Sequence, residues 1–358
     1  MLISGAGTGA SGNVIRAFRT IKPEPHIVGM NDDSFVIRQS LADVDYLCPE
    51  PAGTEFVRSV SEIVKIQKIN MVMPTDDRAV KALSDGRGQI SIDLRLPSRK
   101  TINLCQDKYN LNVFLRDRSI PAPPTYEVRS FGDLDRVFSR FSRAGVLWCR
   151  ARRGSRSLAA TPVATVEQAR AWIMQWRDLQ GIKISEFTLA EFLPGRHFIV
   201  PSVWQNGRLL CAQPVEVLSY FAAGNNPSGI FSLSCLAKTV VAAEALDVAL
   251  SAVKALEAFP SGVFSVELKE ASPGVPLVTE INAGRFPAGV TTLLATGKDN
   301  MVAVFASAIL NDAISVAEPH GSPVERYLVR DIDAVPGVYS AKDLGKAVYR
   351  ARLPSRVR

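Results

Sequence analysis

The sequence predicts an α/β protein whose first hundred residues form a parallel, doubly wound sheet. Short apolar strands at residues 2–3, 26–29 and 71–73 alternate with amphipathic helical segments at residues 14–19 and 55–68. Short connections between strands and helices are typical of β-α-β units, in which parallel strands are linked by helices. The pattern changes near Pro97, after which the elements predict an α+β arrangement.

The C-terminal two thirds of the chain is predicted to hold longer helices and antiparallel hairpins. Prolines within residues 119–124 end the first of these helices, because proline cannot continue a helix. The sequence Gln205-Asn-Gly207 between two apolar runs predicts a hairpin turn. Helices are expected at residues 107–118, 131–141, 166–180 and 239–259, and strands at 146–149, 184–192, 197–204, 263–268 and 277–281.

Length and composition exclude several classes of protein. The 358 residues correspond to two or three domains at roughly 100–200 residues each. With 47% apolar and 22% charged residues, the chain has the composition of a globular protein, and no run approaches the ~18 apolar residues of a membrane span. The N-terminus lacks the basic region of a signal peptide, and the five cysteines are scattered and odd in number. A reducing cytoplasm is therefore the expected location.

The excess of basic residues is local and does not indicate nucleic-acid binding. The chain has 42 basic and 35 acidic residues, a net charge of +7. Arginines cluster at residues 150–156 and in the tail at residues 350–358, without the interleaved aromatic residues of an RNA-binding motif. A small anionic ligand and a solvated basic tail account for this charge equally well.

The first candidate motif is the glycine-rich turn after the first strand. Gly7-Thr-Gly-Ala-Ser-Gly12 fits the pattern G-x-G-x-x-G, and Asp32 and Asp33 follow about 20 residues later. Such a turn can place a pyrophosphate at a helix N-terminus and a carboxylate at a ribose, which would suit an NAD(P)-linked oxidoreductase. The alternative is that a tight strand-to-helix turn simply requires glycine.

The second candidate is a set of oxygen-bearing side chains on two neighbouring strands. Glu280 and Asn282 are two residues apart and point to the same face of a strand, and Glu267 can lie opposite them on the partner strand. Burying carboxylates in apolar strands is costly unless a cation satisfies them, and hard oxygen ligands suit Mg²⁺. The alternative is a sheet with one solvated face, on which alternating polar residues carry no chemistry.

Five motifs in order extend this second candidate. They are Asp107-Lys108-Tyr109 with its proline-rich exit, Arg150–Ser157 after a buried strand, Ala190–Gly195, Glu267, and Glu280-Ile-Asn282-Ala-Gly-Arg285. The set resembles the ATP-grasp superfamily, and more closely its carbamoyl-phosphate-synthase-like carboxylate–amine ligases, over roughly residues 1–315. The resemblance implies a Rossmann-like pre-ATP-grasp domain (1–104), a small ATP-grasp lobe (105–182), a large lobe (183–318) and a C-terminal extension (319–358).

The resemblance also implies a role for each matching residue. Lys108 and Arg150 would contact ATP phosphates, with arginine replacing the family's usual lysine at position 150, and Arg285 would face the transferred phosphate. The loop containing Gly154, Ser155 and Arg156 would close over the triphosphate. The remaining matches are the adenine hinge Glu191, Phe192 and Leu193, the ribose position His197, where the family usually has glutamate, and the Mg²⁺ (or Mn²⁺) ligands Glu267, Glu280 and Asn282.

The function implied is ATP-dependent joining of a small-molecule carboxylate to an amine through an acyl phosphate. Three alternatives stay open: carboxyphosphate or carbamoyl-phosphate-type synthesis, an NAD(P)-linked oxidoreductase using Gly7–Gly12, and a binding or assembly subunit without catalysis. In the family the N-terminal domain usually binds no dinucleotide, so residues 5–12 and 74–77 would instead border the substrate cleft. The sequence does not identify the substrates, and a homodimer is one candidate assembly.

Overall fold

The computed structural model describes residues 1–141, 145–154, 157–225, 233–296, 300–310, 316, 319–332 and 335–344. Within these residues the strands form three sheets, one parallel and two antiparallel. No helix among the described residues is long and apolar enough to cross a membrane.

The N-terminal sheet is parallel, as the sequence predicts. Its strand order is β3-β2-β1-β4, which requires helical crossovers between the strands. The strands are β1 (Leu2–Ser4), β2 (Val28–Asn31), β3 (Val44–Leu47) and β4 (Val72–Met73), and the helices are α1 (Gly9–Phe18), α2 (Gly53–Ile66), α3 (Asp77–Asp85) and α4 (Arg99–Cys105). Thr8 and Asp76 accept hydrogen bonds from backbone N–H groups in the first turns of α1 and α3, which fixes where these helices begin.

The second sheet is small and antiparallel, with the order β5-β8-β6-β7. Helix α5 (Lys108–Arg116) leads into it, and α6 (Leu134–Ser139) and α7 (Val166–Gln180) belong to the same segment. The strands are β5 (Thr125–Val128), β6 (Leu147–Ala151), β7 (Thr161–Val163) and β8 (Phe187–Glu191).

The third sheet has eight strands and forms the floor of the candidate site. Its order is β14-β13-β9-β11-β12-β15-β16, and β10 also pairs with β9. The strands are β9 (His197–Gln205), β10 (Arg208–Ala212), β11 (Val215–Tyr220), β12 (Ser234–Thr239), β13 (Gly262–Glu270), β14 (Pro276–Ala283), β15 (Arg326–Val329) and β16 (Gly337–Ser340). The helices are α8 (Ala243–Leu256), α9 (Thr291–Leu294), α10 (Met301–Leu310) and α11 (Ala341–Leu344).

Sheet membership differs from the predicted segments at two points. Strand β8 follows the predicted boundary at residue 182, yet it pairs with β5 and β6 in the small sheet. Strands β15 and β16 lie in the predicted C-terminal extension, yet they continue the large sheet beyond β12. We therefore propose that the hinge between the lobes follows Glu191, and that the large lobe extends to at least Ser340.

The hydrophobic cores show which of these parts pack together. Two core clusters each combine residues of the N-terminal sheet with residues of the large sheet and its helices. The small sheet has a third core of its own, drawn from residues 128–189 and including Phe187 and Ile173. The N-terminal and large sheets thus share their apolar packing, which also includes Leu111 and Leu115 of α5, whereas the small sheet packs with α6 and α7.

Candidate active site

The centre of the site is the antiparallel pair β13–β14. Phe264, Val266 and Leu268 point to one face of β13 and are fully buried in a core cluster. The alternate residues therefore face the opposite side, where Glu267 stands directly across from Glu280 and Ser265 across from Asn282. The predicted convergence of two carboxylates and an amide on one face is present.

The two carboxylates have opposite electrostatic environments. Burial raises the pKa of Glu280, and the neighbouring charge of Glu267 acts in the same direction. Burial also acts to raise the pKa of Glu267, but its contact with His197 and the charges of Arg285 and Lys108 outweigh it and lower that pKa. Asn282 Nδ2 donates a hydrogen bond to Glu267 Oε1 over 3.2 Å, so the amide oxygen of Asn282 is turned away from the carboxylate.

Lys108 joins the small lobe segment to this pair. It is the first residue of α5, whose N-cap is Asp107. Its Nζ lies 3.6 Å from Glu280 Oε2 and donates a hydrogen bond to the Gly154 carbonyl oxygen over 2.6 Å. The lysine predicted to contact phosphate therefore lies between a metal-ligand candidate and the glycine-containing loop.

Arg150 approaches the same strands from β6. Its Nη2 donates a hydrogen bond to the Thr279 carbonyl oxygen over 2.9 Å, beside Glu280. Its Nε is buried and has no hydrogen-bond partner among the described residues. Burial lowers the pKa of Arg150. A buried N–H without a partner is rare in folded proteins, and an anionic ligand entering from the cleft would satisfy it.

Arg285 connects the site to the N-terminal sheet. Its Nε lies 2.7 Å from Asp77 Oδ1, and its Nη2 donates to Asn282 Oδ1 over 2.5 Å. Burial opposes ionisation of Asp77, but Arg285 outweighs it and holds the pKa of Asp77 below its usual value. The loop after β4 was predicted only as a cleft border; the contact between Asp77 and Arg285 spans 208 residues and leaves no local signal in the sequence.

The hinge residues lie where the small and large sheets meet. Glu191 ends β8, and Phe192 follows it, with its ring 6.0 Å from that of Trp148. The Gly195 N–H donates to the Glu270 carbonyl oxygen, which ties the hinge to the end of β13. Leu193 is buried. The ammonium of the half-buried Lys269 lies 5.8 Å from the centroid of the Phe192 ring.

His197 lies beside the carboxylate pair. Its Nε2 is 3.6 Å from Glu267 Oε2, and its Nδ1 is hydrogen-bonded to the Tyr220 hydroxyl over 2.5 Å. The Tyr220 ring stacks on the imidazole at 6.0 Å. The ribose contact predicted for His197 stays a prediction. The sequence carries no signal for Tyr220, because a tyrosine at the end of a strand commonly belongs to the core or to the surface.

The basic loop is partly engaged in ion pairs of its own. Arg152 Nε lies 2.7 Å from Asp107 Oδ1, and Arg153 Nη2 lies 3.0 Å from Asp107 Oδ2. These two arginines therefore anchor the loop to the start of α5. Gly154 has a φ of +108°, a conformation that favours glycine. Ser155 and Arg156, predicted to close over a triphosphate, lie outside the described residues.

One glycine of the glycine-rich turn near the N-terminus, Gly7, is covered by backbone. Gly7 has a φ of +92°, and a Cβ there would meet the Val36 carbonyl oxygen at 1.8 Å. Asp33 Oδ1 accepts hydrogen bonds from the Phe35 and Val36 N–H groups. These contacts favour the interpretation of the turn as a structural requirement over that of a pyrophosphate cradle with a ribose-binding carboxylate.

Comparison with known proteins identifies the fold. No family model and no curated protein matches the chain. Among solved structures, carboxyaminoimidazole ribonucleotide synthase from Aspergillus clavatus, complexed with ATP, has a TM-score of 0.66 and 17% identity, covering 92% of this chain and 81% of its own. An L-amino acid ligase from Bacillus licheniformis has a TM-score of 0.65 and 14% identity, covering 92% and 78%.

A third similar structure is the biotin carboxylase domain of the Hydrogenobacter thermophilus 2-oxoglutarate carboxylase, solved with MgADP, ADP and bicarbonate. It has a TM-score of 0.69 and 10% identity, covering 92% of this chain and 74% of its own. The chain thus has the ATP-grasp fold with an N-terminal Rossmann-like domain, as the motifs predicted. No closer relationship follows from identities of this size.

Proposed function

We propose that the protein is an ATP-dependent ligase that joins a carboxylate to an amine. The observation that carries the proposal is the facing pair Glu267 and Glu280, with Asn282 beside them, surrounded by Lys108, Arg150 and Arg285. Each of the three cations comes from a different part of the chain, yet all three reach the strands that carry the carboxylates. Three convergent cations and two carboxylates are the arrangement that a metal-bound triphosphate requires.

The donor set fits a magnesium ion. The carboxylates of Glu267 and Glu280 are hard oxygen ligands, and Mg²⁺ commonly completes its coordination with water and phosphate oxygens. The amide oxygen of Asn282 accepts a hydrogen bond from Arg285 and would have to exchange that bond for the metal ion. Within the described ranges, no three His, Cys, Asp or Glu side chains are grouped closely enough to hold a metal ion by themselves. Substrate phosphate and water would therefore supply the remaining ligands. When bound, the ion neutralises phosphate charge; Mn²⁺ is an alternative.

The protein's own contribution is to position the substrates and to neutralise developing negative charge. Lys108 and Arg150 would bind phosphate oxygens, and Arg285 would face the acyl phosphate formed when the substrate carboxylate attacks the γ-phosphorus of ATP and ADP leaves. Attack of the amine on that acyl carbon then forms the amide and releases phosphate. No covalent nucleophile from the chain is needed, and charge stabilisation of this kind is worth several kcal/mol per group.

Two alternatives belong to other reactions. If the acid were bicarbonate instead of an organic acid, the enzyme would form carboxyphosphate. The pair Glu267 and Glu280 is compatible with either reaction. An NAD(P)-linked oxidoreductase is disfavoured by the Val36 backbone over Gly7. Cys48, Cys105, Cys149 and Cys235 are free thiols. We propose a reducing cytoplasm as the compartment, since free thiols persist there.

The test is to incubate the protein with ATP, Mg²⁺ and a panel of acids and amino acids, and to score ADP release. The panel includes bicarbonate alone, which separates carboxyphosphate formation from ligation of organic acids. ADP release that depends on both an acid and an amine, with amide detected by mass spectrometry, supports the proposal. Failure to bind MgATP in a direct titration contradicts it, and MgATP binding without turnover over the whole panel favours a non-catalytic subunit.

A further inference from the structure

The guanidinium of Arg285 is held by two different parts of the chain. Its Nε donates a hydrogen bond to Asp77 Oδ1 over 2.7 Å, and its Nη2 donates to Asn282 Oδ1 over 2.5 Å. Asp77 is the first residue of α3 in the N-terminal domain, whereas Asn282 lies in β14 of the large sheet. Among the described residues, Nη1 has no hydrogen-bond partner. One nitrogen of an arginine whose side chain is only 13% exposed thus remains available to a ligand.

The backbone that carries Asp77 is fixed from two sides. Just before it, the Thr75 N–H donates to Ser4 Oγ over 3.1 Å, and Thr75 Oγ1 donates to the Ser4 carbonyl oxygen over 2.8 Å. Gln106, which follows α4, donates from Nε2 to the Asp77 carbonyl oxygen over 2.8 Å. The carboxylate that meets Arg285 is therefore attached to a segment that is tied both to β1 and to the end of α4.

The Asp77 carboxylate serves Arg285 and no other donor in the described part of the chain. Its neighbour Asp76 accepts a hydrogen bond from the Ala79 N–H and so caps α3. Burial acts to raise the pKa of Asp77, but Arg285 and Lys108 outweigh it and lower that pKa. Asp77 is thus an ionised partner of the arginine rather than a helix cap.

Arg285 occupies an oxygen that the proposed metal ion needs. Asn282 Oδ1 accepts from Arg285 Nη2, and this is the amide oxygen assigned to Mg²⁺ coordination. A guanidinium and a divalent cation on one oxygen repel each other, because like charges at such distances interact strongly in a buried site. Metal binding therefore requires Nη2 to leave Asn282. The bond from Nε to Asp77 involves no metal ligand and can persist.

We propose that Asp77 is the positioning residue for Arg285. It retains Nε when the metal ion displaces Nη2 from Asn282, so that Nη1 and Nη2 turn together toward the transferred phosphate. Two nitrogens of one guanidinium bind phosphate oxygens in a planar, bidentate geometry. The inference rests on the proposed ligase function and deepens it, because it gives a residue of the N-terminal domain a part in phosphate binding.

The direction of the effect separates positioning from simple charge. An anion beside a phosphate site repels phosphate, so removal of the Asp77 charge alone should tighten phosphate binding. Removal of the anchor of Arg285 should instead weaken phosphate binding, since the arginine then loses its orientation. The two explanations thus predict opposite signs for the same substitution.

The test measures the binding of inorganic phosphate to the full-length protein saturated with MgADP, by calorimetric titration. Asp77→Asn keeps the size of the side chain and removes its charge. In this variant we expect phosphate affinity to fall at least ~tenfold and MgADP affinity to stay at the wild-type value. Asp85→Asn is the matched control, because it removes an equal charge and an ion pair with Arg99 at the other end of α3. It should bind phosphate like the wild type.

Two further variants make the result independent of one substitution. Asp77→Glu retains the charge and displaces the carboxylate by one methylene, so it should also weaken phosphate binding. Arg285→Lys should weaken it too, and Asp77→Asn added to Arg285→Lys should change the affinity by less than about twofold, because Asp77 acts through the arginine. Circular dichroism melts establish that each variant is folded; if Asp77→Asn is not, Asp77→Glu provides the comparison.

Unchanged or tighter phosphate binding by the folded Asp77 variants overturns the inference, as do additive losses in the double variant. A wild type that binds MgADP but no phosphate overturns it as well. These outcomes leave the ligase proposal standing. Failure of the wild type to bind MgADP contradicts the ligase proposal itself, and with it the role of Asp77.

Discussion

Glu267 and Glu280 face each other across two hydrogen-bonded strands, yet their surroundings move their pKa values in opposite directions. His197, Arg285 and Lys108 lower the pKa of Glu267 and so favour its ionised form. Burial and the charge of Glu267 raise the pKa of Glu280. The pair is thus asymmetric. The protein itself favours the ionised form of Glu267, whereas Glu280 depends on a bound cation for its ionisation.

Replacing Glu280 by Gln should reduce ADP release by at least ~100-fold, because a metal ligand contributes several kcal/mol to stabilising phosphoryl-group charge. The fold should be retained, with unfolding free energy within about 1 kcal/mol of wild type, since glutamine is isosteric and the raised pKa shows that the ionised form is disfavoured in the folded protein. Circular dichroism melts and an ADP-coupled assay check both points. Full ADP release by the variant would contradict the metal assignment.

Replacing Arg150 by Met should have opposite effects on binding and on stability. MgADP affinity is expected to fall at least tenfold, whereas the ligand-free protein should be as stable as wild type or more so, because a buried cation with an unpartnered N–H is removed. Calorimetric titration and chemical denaturation provide the two measurements. The exposed Arg129, replaced by Met in the same segment, is the control and should change neither quantity.

MgATP should raise the melting temperature, and NAD⁺ or NADPH should not. A ligand at 100 times its dissociation constant stabilises the native state by about 2.7 kcal/mol. The Val36 carbonyl oxygen covers Gly7, and the side chain of Asp33 is engaged by backbone N–H groups, which disfavours a dinucleotide at the N-terminal turn. Differential scanning fluorimetry measures the melting temperature with each nucleotide. Stabilisation by NAD⁺ but not by MgATP would contradict the ligase proposal.

Replacing Gly154 by Ala should lower the ratio of amide formed to ADP released. The positive φ makes alanine unfavourable by about 1–2 kcal/mol, and the Gly154 carbonyl oxygen receives the Lys108 ammonium, so the loop and the lysine should shift together. Gly181 has φ +69° at the end of α7 and open space around it, so Gly181→Ala imposes a positive φ on alanine away from the site, without the 2.7 Å contact with Leu158 that a Cβ at Gly154 adds. A ratio equally changed in both variants would mean that the effect is one of stability.

Glu270 should contribute stability that depends on pH. Arg196 binds both of its carboxylate oxygens, at 2.8 and 2.7 Å, and lowers its pKa from the ordinary 4.5. A lowered pKa gives stability that is present above pH 4.5 and is lost as the pH falls through the folded-state value. Glu270→Gln should therefore cost about 1–3 kcal/mol at pH 7 and progressively less as the pH falls below 4.5, measured by denaturant titration at a series of pH values. A loss that does not change with pH would show that packing, not charge, is responsible.

Local patterns in the sequence were sufficient to predict the residues at the centre of the site. Alternation of apolar and polar residues, with a turn at residues 271–275, predicted that Glu267 and Glu280 would face each other, and the strand register confirms it. The Asp-Lys element likewise identified the start of α5. In both cases the information lies within a few consecutive residues, so the physics of a strand or a helix cap is enough.

Contacts between distant segments could not be predicted in this way. Asp77 meets Arg285 across 208 residues, and Arg330 meets Gly289 across 41. Neither Tyr220 nor Arg330 stands in a motif, and their positions follow from the pairing order of β9, β11, β12 and β15, which sequence periodicity does not encode. The same reason explains why β8 was predicted with the large lobe and β15 and β16 as an extension.

The separate core of the small sheet makes this chain two cooperative units of unequal size. A unit with its own apolar interior can melt or exchange its amide hydrogens without disrupting Glu267 and Glu280, which rest on the packing shared by the other two sheets. Destabilising substitutions of Phe187 or Ile173 would then lower nucleotide affinity without unfolding the rest of the chain. Sensitivity to substitution in this protein should accordingly be uneven, set by which of the two interiors a residue belongs to.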